Sequence, residues 1–250
     1  MFRLFTIYWA EPHPERRAEL DLVLKINLSM FQEVTILSQN VARPDWFPNH
    51  PWHQWFEGSE RQQFQDLIAI AAKTIDIGAE FRQEVFGGDK TVGNIYVIAN
   101  SDIIFTHDAL VKVADNLKCD EAYCLSRWDM YRDGGINLFD ERSSQDVWVF
   151  RGPPKPDIGG AFRVGDPGAD NRIAHEFDAA GYRVLNPSKS IQCVHYHLAT
   201  NKDGSTRRTA NIAANRVPLP YLMVKPHALG EEPEYHRPTR ISKRAGFHRV

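Results

Sequence analysis

The stretch of the sequence best suited to chemistry is Asn100-Ser101-Asp102, three polar residues that directly follow the apolar run Ile95–Ala99. Such a run is typical of a strand buried on both faces of a parallel sheet. Ligands of open α/β sheets bind at the carboxyl ends of the strands, so a carboxylate at Asp102 is well placed to bind a divalent metal ion. The alternative interpretation is that these polar residues start a turn or cap the next helix.

A second candidate is the pair His195 and His197. The two residues lie two positions apart in a predicted strand, 190–197, so their side chains are expected to point to the same face. Imidazole suits Mn²⁺ better than Mg²⁺. The pair therefore indicates contact with a metal ion or a phosphate, although a surface histidine pair is often without function.

The elements that would position these residues alternate between strands and helices, which predicts a single α/β domain with a largely parallel sheet. Strands at 2–8 and 33–38 flank a helix at 15–30, and this order is typical of a right-handed parallel βαβ unit. Further helices are predicted at 61–75, 108–117 and 173–181, and further strands at 121–126, 146–150 and 182–185. Residues 41–60, 81–93 and 131–144 are predicted to be connecting segments without strands.

Composition excludes several classes of function. The net charge of −2 gives no argument for binding nucleic acid or a membrane surface. The N-terminal apolar run is too short for a signal sequence or a membrane span. The three cysteines, Cys119, Cys124 and Cys193, lack the spacing of a zinc or redox site and indicate free thiols in a reducing cytosol. We therefore expect a cytoplasmic protein.

The composition changes after Thr200, which predicts a domain at 1–199 and a basic, proline-containing tail at 200–250. Residues 201–250 hold ten lysines and arginines against four acidic residues. The basic residues are scattered rather than clustered, so they do not indicate a nucleic-acid arm. The tail is expected to wrap the domain or to be partly disordered.

A series of short segments, in this order, resembles the small GT-A-type glycosyltransferases of bacteria and large DNA viruses. The segments are FTIYW, EVTILSQ, Arg61 at a helix start, IANSDIIF, CLSRWD, SSQDVWVF, PGADNRIAHEFDAAGYRVLNPS and HYH. The resemblance covers residues 2–198 and implies a mixed, mostly parallel sheet of the nucleotide-diphospho-sugar transferase type, flanked by helices. It also implies transfer of a sugar from a UDP- or GDP-sugar to a hydroxyl acceptor such as a glycan.

The same resemblance implies a metal site. Enzymes of this type carry a D-x-D motif after the central strand, and this chain has Asn100-Ser101-Asp102, with an amide in the first acidic position. Asp102 takes the place of the direct ligand of Mn²⁺ or Mg²⁺, which would neutralise the donor diphosphate. His195 and His197 match the histidines near the end of the fold that contact metal or diphosphate.

Donor and acceptor contacts are implied in the same way. The donor contacts are Thr6, Tyr8, Arg61, Asn100 and Ser101, and the acceptor contacts are Trp128, Asp129, Trp148 and Asn171. Arg61 suits a diphosphate because guanidinium pairs with phosphate in a bidentate manner. For the two tryptophans, packing in the core is an equal alternative to stacking on a sugar.

The resemblance also places Asp170 and Asn171 where the carboxylate facing the acceptor lies. A general base must reach the acceptor hydroxyl, so Asp170 is the first candidate and Asp146 the second, while Glu176 and Asp129 are poorer ones. A candidate base without a distinguishable nucleophile favours an inverting single displacement. The simpler interpretation is that Asp170 or Asn171 only caps the following helix.

Two other kinds of function remain open at this point. A metal-dependent phosphoesterase would also use aspartate and histidine, but ordinarily around two metal ions. A non-catalytic nucleotide-sugar-binding module would explain the amide at Asn100 as lost chemistry.

Overall fold

The computed structural model describes residues 1–73, 93–198 and 216–239 of the chain. Its helices are α1 (Pro14–Met30), α2 (Phe64–Lys73), α3 (His107–Asn116) and α4 (Ala169–Ala179). Its strands are β1 (Phe2–Trp9), β2 (Glu33–Gln39), β3 (His53–Gly58), β4 (Ile95–Ala99), β5 (Ile103–Phe105), β6 (Glu121–Leu125), β7 (Trp128–Met130), β8 (Ile136–Leu138), β9 (Val147–Arg151), β10 (Arg183–Leu185), β11 (Cys193–His195), β12 (Met223–Val224) and β13 (Tyr235–His236).

A seven-stranded sheet forms the centre of the protein, with the strand order β10-β6-β9-β4-β1-β2-β3. Strand β9 runs antiparallel to both of its neighbours, β4 and β6, and the other neighbouring pairs are parallel. The predicted fold class, a mixed and mostly parallel sheet flanked by helices, is confirmed. The antiparallel β9 matters for the site, because its first residues lie at the edge where the parallel strands end.

Apolar side chains cover both faces of this sheet. Neighbouring residues of β1 illustrate the alternation expected of a strand, since Leu4 belongs to one core cluster and Phe5 to the other. Helices α1 and α3 contribute to the first cluster, and α2 and α4 to the second. The helices therefore cover the sheet with one layer on each face.

A second, four-stranded sheet has the order β5-β11-β7-β8. The prediction that residues 131–144 contain no strand is wrong, because β8 lies there, and the sequence analysis also missed β5 and β7. Each of these strands has only three residues, too few to show a periodic pattern. The pairing of β11 with β5 and β7 in this small sheet brings polar residues from three parts of the chain together.

The prediction of a loop over residues 41–60 is wrong at β3, which pairs in parallel with β2 at the edge of the large sheet. Partly buried and exposed residues alternate along much of β3. An edge strand of this kind buries only one face, so its aromatic and polar residues do not form the apolar run that marks a central strand.

Helix α4 begins earlier than predicted. Its N-cap is Gly168, with φ of 86°, and a glycine has no side chain that could cap the helix. A Cβ at this glycine would lie 2.5 Å from the hydroxyl oxygen of Tyr221, so both the positive φ and the close packing require glycine. The interpretation of Asp170 or Asn171 as the cap is therefore wrong, and Asp170 lies inside the first turn.

The described part of the C-terminal region, residues 216–239, packs on the domain. Val217, Leu222 and Val224 are buried in the same cluster as α4. The boundary at residue 199 stays a prediction, and residues 199–215, 240–250 and most of the predicted connector at 81–93 lie outside the described residues. Among the helices that the structure describes, none has both the length and the apolar character needed to cross a membrane.

Candidate metal and acid–base site

Polar residues from three neighbouring strands meet at one edge of the large sheet. Asn100 follows the end of β4, Arg127 lies two residues beyond β6, and Asp146 precedes the antiparallel β9. The backbone N–H of Asn100 donates to the carbonyl of Asp146 at 3.0 Å, and its Nδ2 donates to Asp146 Oδ1 at 2.7 Å. This is the carboxyl edge of the parallel strands, where ligands of such sheets bind.

The small sheet brings Asp102, Asp129 and His195 together. Strand β11 lies between β5 and β7, so that His195 pairs with Ile103 on one side and with Asp129 on the other. Its ring bonds to both carboxylates, with Nε2 at 3.1 Å from Asp102 Oδ2 and Nδ1 at 2.8 Å from Asp129 Oδ1. The buried side chain of Asn27 on α1 donates to the carbonyl of Ile103 at 2.8 Å and thereby fixes β5.

His197 completes what we call the Asp–His cluster, which consists of Asp102, His195 and His197. The two imidazole rings lie 5.6 Å apart between centroids and are nearly perpendicular. One ligand atom from each of the three residues lies within 4.8 Å of the others. Within the described residues, the buried Nε2 of His197 has no hydrogen-bond partner.

This donor set fits a divalent transition metal ion. It offers one carboxylate oxygen and two imidazole nitrogens, a combination that suits Mn²⁺ better than Mg²⁺. The bond from His195 Nδ1 to Asp129 is the orienting contact that metal-binding histidines usually make, and it leaves Nε2 for the ion. An unpartnered buried nitrogen on His197 is costly unless a ligand satisfies it.

Arg16, from the first turn of α1, also contacts the cluster. Its guanidinium is buried, and Nη2 lies 2.5 Å from Asp102 Oδ2. Its Nη1 donates to Glu19 Oε2 at 2.9 Å and to the carbonyl of Tyr196 at 2.8 Å. The same oxygen of Asp102 is therefore shared between Arg16 and His195.

The charges around the cluster set its protonation. Burial opposes ionisation of Asp102, but His195 and Arg16 outweigh it and hold its pKa far below the usual range. Burial lowers the pKa of His195, but the carboxylates of Asp102 and Asp129 outweigh it and raise that pKa to about 9. Burial and the charge of Arg16 lower the pKa of His197 to about 4. At pH 7 His197 is thus neutral, as a ligand must be, and His195 carries a proton that a metal ion would have to displace.

Arg127 links this cluster to a second group of acids. Its Nε lies 2.7 Å from Asp129 Oδ1, and its Nη1 lies 3.3 Å from Asp146 Oδ2. Burial would lower the pKa of Arg127, but Asp146 and Asp129 raise it. Asp146 is accordingly held on both oxygens, by Asn100 and by Arg127.

Asp170 is the neighbour of Asp146 in this second group, and we call the two residues the acid pair. Burial, followed by the negative charge of Asp146, raises the pKa of Asp170 to about 7. Backbone N–H groups of Asp170 and Gln145 donate to its carboxylate and partly oppose that shift. The two residues predicted as alternative bases therefore lie near each other in different surroundings.

The predicted donor contacts are partly engaged within the protein. The buried Thr6 donates from Oγ1 to the carbonyl of Ala99 at 2.8 Å, and the buried Tyr8 donates from its hydroxyl to Asp21. Arg61 pairs with Asp166 at 2.9 Å while 37% of its side chain remains exposed. Ser101 is buried beside Asn100. Their roles in donor binding stay predictions, and Arg61 has the most accessible side chain among Thr6, Tyr8 and Arg61.

The predicted acceptor contacts differ in accessibility. Trp148 is fully buried and packs edge-on against Phe64, with ring centroids 4.8 Å apart, so its contacts support core packing rather than stacking on a sugar. Asn171 is also buried, and its Nδ2 donates to the carbonyl of Ser143 at 3.0 Å. Trp128 is half-buried, with Nε1 donating to the carbonyl of Ser188 at 2.8 Å.

Sequence reasoning missed Arg16 and Arg127. Arg127 directly follows the predicted strand at 121–126, so the strand-end argument that singled out Asp102 could have found it. Arg16 is one of two adjacent arginines at a helix start, and its partner Asp102 lies 86 residues away. No local pattern in the sequence indicates that pairing.

Comparison with known proteins adds little to this geometry. No family model matches the chain, and no curated protein matches it. Among 63 matching chains of solved structure is the mannosyltransferase PcManGT from Pyrobaculum calidifontis, in complex with GDP-Man and Mn²⁺. The match has 14% sequence identity and a TM-score of 0.44, and it covers 79% of this chain. It covers 58% of the mannosyltransferase, so the chain spans little more than half of that protein's length.

Proposed function

We propose that the protein is a metal-assisted glycosyltransferase that moves a sugar from a nucleoside-diphosphate donor to a hydroxyl acceptor with inversion. One observation carries the proposal. The Asp–His cluster and the acid pair lie at the same edge of the sheet and are joined through Asp129 and Arg127. Sugar transfer needs both parts, a cation for the leaving diphosphate and a base for the attacking hydroxyl. The resemblance in the order of segments supports the class of donor.

In this proposal Asp102, His195 and His197 hold the metal ion. When bound there, an ion would supply positive charge to neutralise the diphosphate leaving group. Asp129 keeps His195 in the orientation and tautomer that present Nε2. The neutral His197 supplies a second nitrogen without first losing a proton.

Asp170 is the proposed base. A pKa of about 7 lets a carboxylate accept a proton from an acceptor hydroxyl near neutral pH, where a general base is most effective. Asp146 is less suited, since Asn100 and Arg127 occupy its two oxygens. Its role is to supply the negative charge that keeps the pKa of Asp170 high.

The proposal is tested with a panel of nucleotide sugars in the presence of Mn²⁺. Slow hydrolysis of one donor, lost in Asp102→Ala and in Asp170→Asn, would support a transferase. Cleavage of phosphomonoesters would support the phosphoesterase, and donor binding without turnover would support the binding module. Within the described residues there is one group of potential metal ligands, whereas phosphoesterases ordinarily use two metal ions.

The stereochemical part of the proposal needs an acceptor. Once the panel identifies the donor, products formed with simple glycosides can be examined by NMR for the configuration of the new bond. Inversion would support direct attack assisted by Asp170. Retention would contradict the single displacement, even if the donor class is right.

A further inference from the structure

We propose that Arg16 competes with the metal ion for Asp102, and that a bound diphosphate relieves this competition by taking over the guanidinium. The inference rests on the proposed function, because it concerns the same cation site. It makes metal and donor binding interdependent, so that the ion binds weakly alone and tightly together with the diphosphate.

The competition follows from the shared oxygen. Arg16 Nη2 and His195 Nε2 lie 2.5 and 3.1 Å from Asp102 Oδ2. An ion bound by Asp102, His195 and His197 must approach that oxygen while the permanently charged guanidinium is next to it. Like charges a few ångströms apart repel strongly where water is excluded, and the buried Arg16 is poorly screened by salt.

The surroundings of Arg16 allow it to change partner without leaving the site. Its Nη1 is held by Glu19 Oε2 and by the carbonyl of Tyr196, neither of which involves the metal ligands' side chains. Glu19 is itself fixed, because its Oε1 accepts from the backbone N–H of Leu198 at 3.0 Å. Only Nη2 has to exchange Asp102 for another anion. A diphosphate oxygen is a suitable one, since guanidinium groups bind phosphate well.

The charge balance explains why the exchange needs the diphosphate. Among the groups in direct contact with the ion or with Arg16, the charges of the divalent ion and of Arg16 together exceed those of the Asp102 and Glu19 carboxylates by one. A diphosphate supplies the missing negative charge to both cations at once. By linkage, each ligand must then raise the affinity for the other by the same factor.

The test is calorimetry with Mn²⁺ alone and with a preformed complex of Mn²⁺ and inorganic pyrophosphate. Arg16→Gln removes the charge, and Arg16→Met is a second charge-free variant that keeps the apolar stem in case the first does not fold. Arg16→Lys keeps the charge. The matched control is Lys25→Gln, which removes an exposed positive charge further along the same helix.

We expect the charge-free variants to bind Mn²⁺ alone at least about tenfold more tightly than the wild type, and to bind the pyrophosphate complex at least about tenfold more weakly. Lys25→Gln should behave like the wild type. Arg16→Lys keeps the charge but has one nitrogen in place of the fork, so it should bind Mn²⁺ alone as the wild type does and the pyrophosphate complex more weakly. The opposite signs are diagnostic, because damage to the fold would weaken both affinities.

Equal Mn²⁺ affinity in the wild type and the charge-free variants would overturn the inference, as would weakening of both affinities. Asp102→Ala separates that failure from a failure of the proposed function. If this variant loses Mn²⁺ binding while Arg16→Gln changes nothing, only the role of Arg16 is refuted. If Asp102→Ala binds Mn²⁺ as the wild type does, the metal site itself is wrong.

Discussion

The Asp–His cluster and the acid pair each contain a carboxylate that is shielded from water, yet their charges differ. Asp102 lies beside His195 and Arg16, which hold its pKa below the usual range, so it is ionised at any ordinary pH. Asp170 lies beside another carboxylate, and its pKa is raised to about 7. Two aspartates of one site thereby become suited to different tasks, one to binding a cation and the other to exchanging a proton.

The two groups also differ in how the fold builds them. Asp102 directly precedes β5 and His195 is the last residue of β11, and their contact joins residues far apart in the sequence. Asp146 precedes β9, a strand of the large sheet, and Asp170 lies in the first turn of α4, which packs on that sheet. Arg127 lies between the groups and pairs with a carboxylate on each side. We infer that the neighbouring charges give the two carboxylates their different tasks, and that Arg127 fixes the position of one group relative to the other.

The largest effect is expected from a change in the Asp–His cluster. We expect Asp102→Asn to abolish the enhancement of nucleoside-diphosphate binding by Mn²⁺, because the amide cannot replace an anionic oxygen ligand. The amide oxygen can still accept a hydrogen bond from the buried Arg16, so we expect the fold to be retained with reduced stability. Calorimetry with and without Mn²⁺ measures the effect, and Asp108→Asn on the exposed surface of α3 is the matched control. Full metal enhancement in Asp102→Asn would remove Asp102 from the site.

The acid side is tested by Asp170→Asn, for which we expect turnover to fall by about 10²–10⁴ while donor binding changes little. Asparagine keeps a side-chain oxygen that can accept from the backbone N–H groups of Asp170 and Gln145, so stability should change little. Asp146→Asn is the comparison variant and should be milder, because Asp146 acts on Asp170 rather than on the acceptor. Near-normal transfer by Asp170→Asn together with an inactive Asp146→Asn would reverse the two roles. Activity in both variants would rule out a side-chain base.

Asp129 contacts both His195 of the Asp–His cluster and Arg127, which pairs with Asp146 of the acid pair. If it orients His195, Asp129→Asn should weaken Mn²⁺ binding by about 10–100-fold, and excess metal should restore much of the turnover. The affinity is measured by calorimetry and the turnover over a range of Mn²⁺ concentrations. A raised KM for the acceptor with unchanged metal affinity would support instead the acceptor contact that the resemblance implies.

The large sheet was predictable from the sequence because its signals are local. Strands β1, β2 and β4 are apolar runs, and α1 lies between the first two with helical spacing of its leucines. The three-residue strands of the small sheet carry no such signal, and they form because pairing and burial select them. The same reason applies to residues 216–239, where Val217, Leu222 and Val224 enter the core from a segment that reads as a polar tail.

Several residues of the candidate site could be predicted from the sequence, but the residues that contact them could not. The strand-end argument singled out Asp102, and the spacing of His195 and His197 on a predicted strand singled out the histidines. The resemblance strengthened the histidine prediction and added Asp170. The partners that set their charges could not be predicted, because Arg16 reaches Asp102 across 86 residues and His195 reaches it across 93. Trp148 lies in a segment that matches the resemblance, yet it packs in the core against Phe64. Position in a matching segment therefore does not by itself place a residue in the site. A residue type indicates what chemistry is possible, and its three-dimensional neighbours decide which chemistry occurs.

The last expected effect is the contribution of Asp170 to the pH dependence of stability. The pKa of Asp170 is about 7 in the folded protein, against an ordinary value of 3.8. Between these values the folded state holds a proton that the unfolded state has released, so the contribution of Asp170 to stability is full below the lower pKa and is lost as pH rises through the higher one. Asp170→Asn removes this loss, and its free energy of unfolding relative to the wild type should therefore increase from pH 5 to pH 8. Urea unfolding of both proteins at the two pH values measures the difference, and the contributions of groups common to both proteins cancel.

In an Asp146→Asn background the increase should shrink, because the charge that helps to raise the pKa of Asp170 is gone. A difference that does not vary with pH would mean that Asp170 titrates normally, and the contrast between the two aspartates would then be lost.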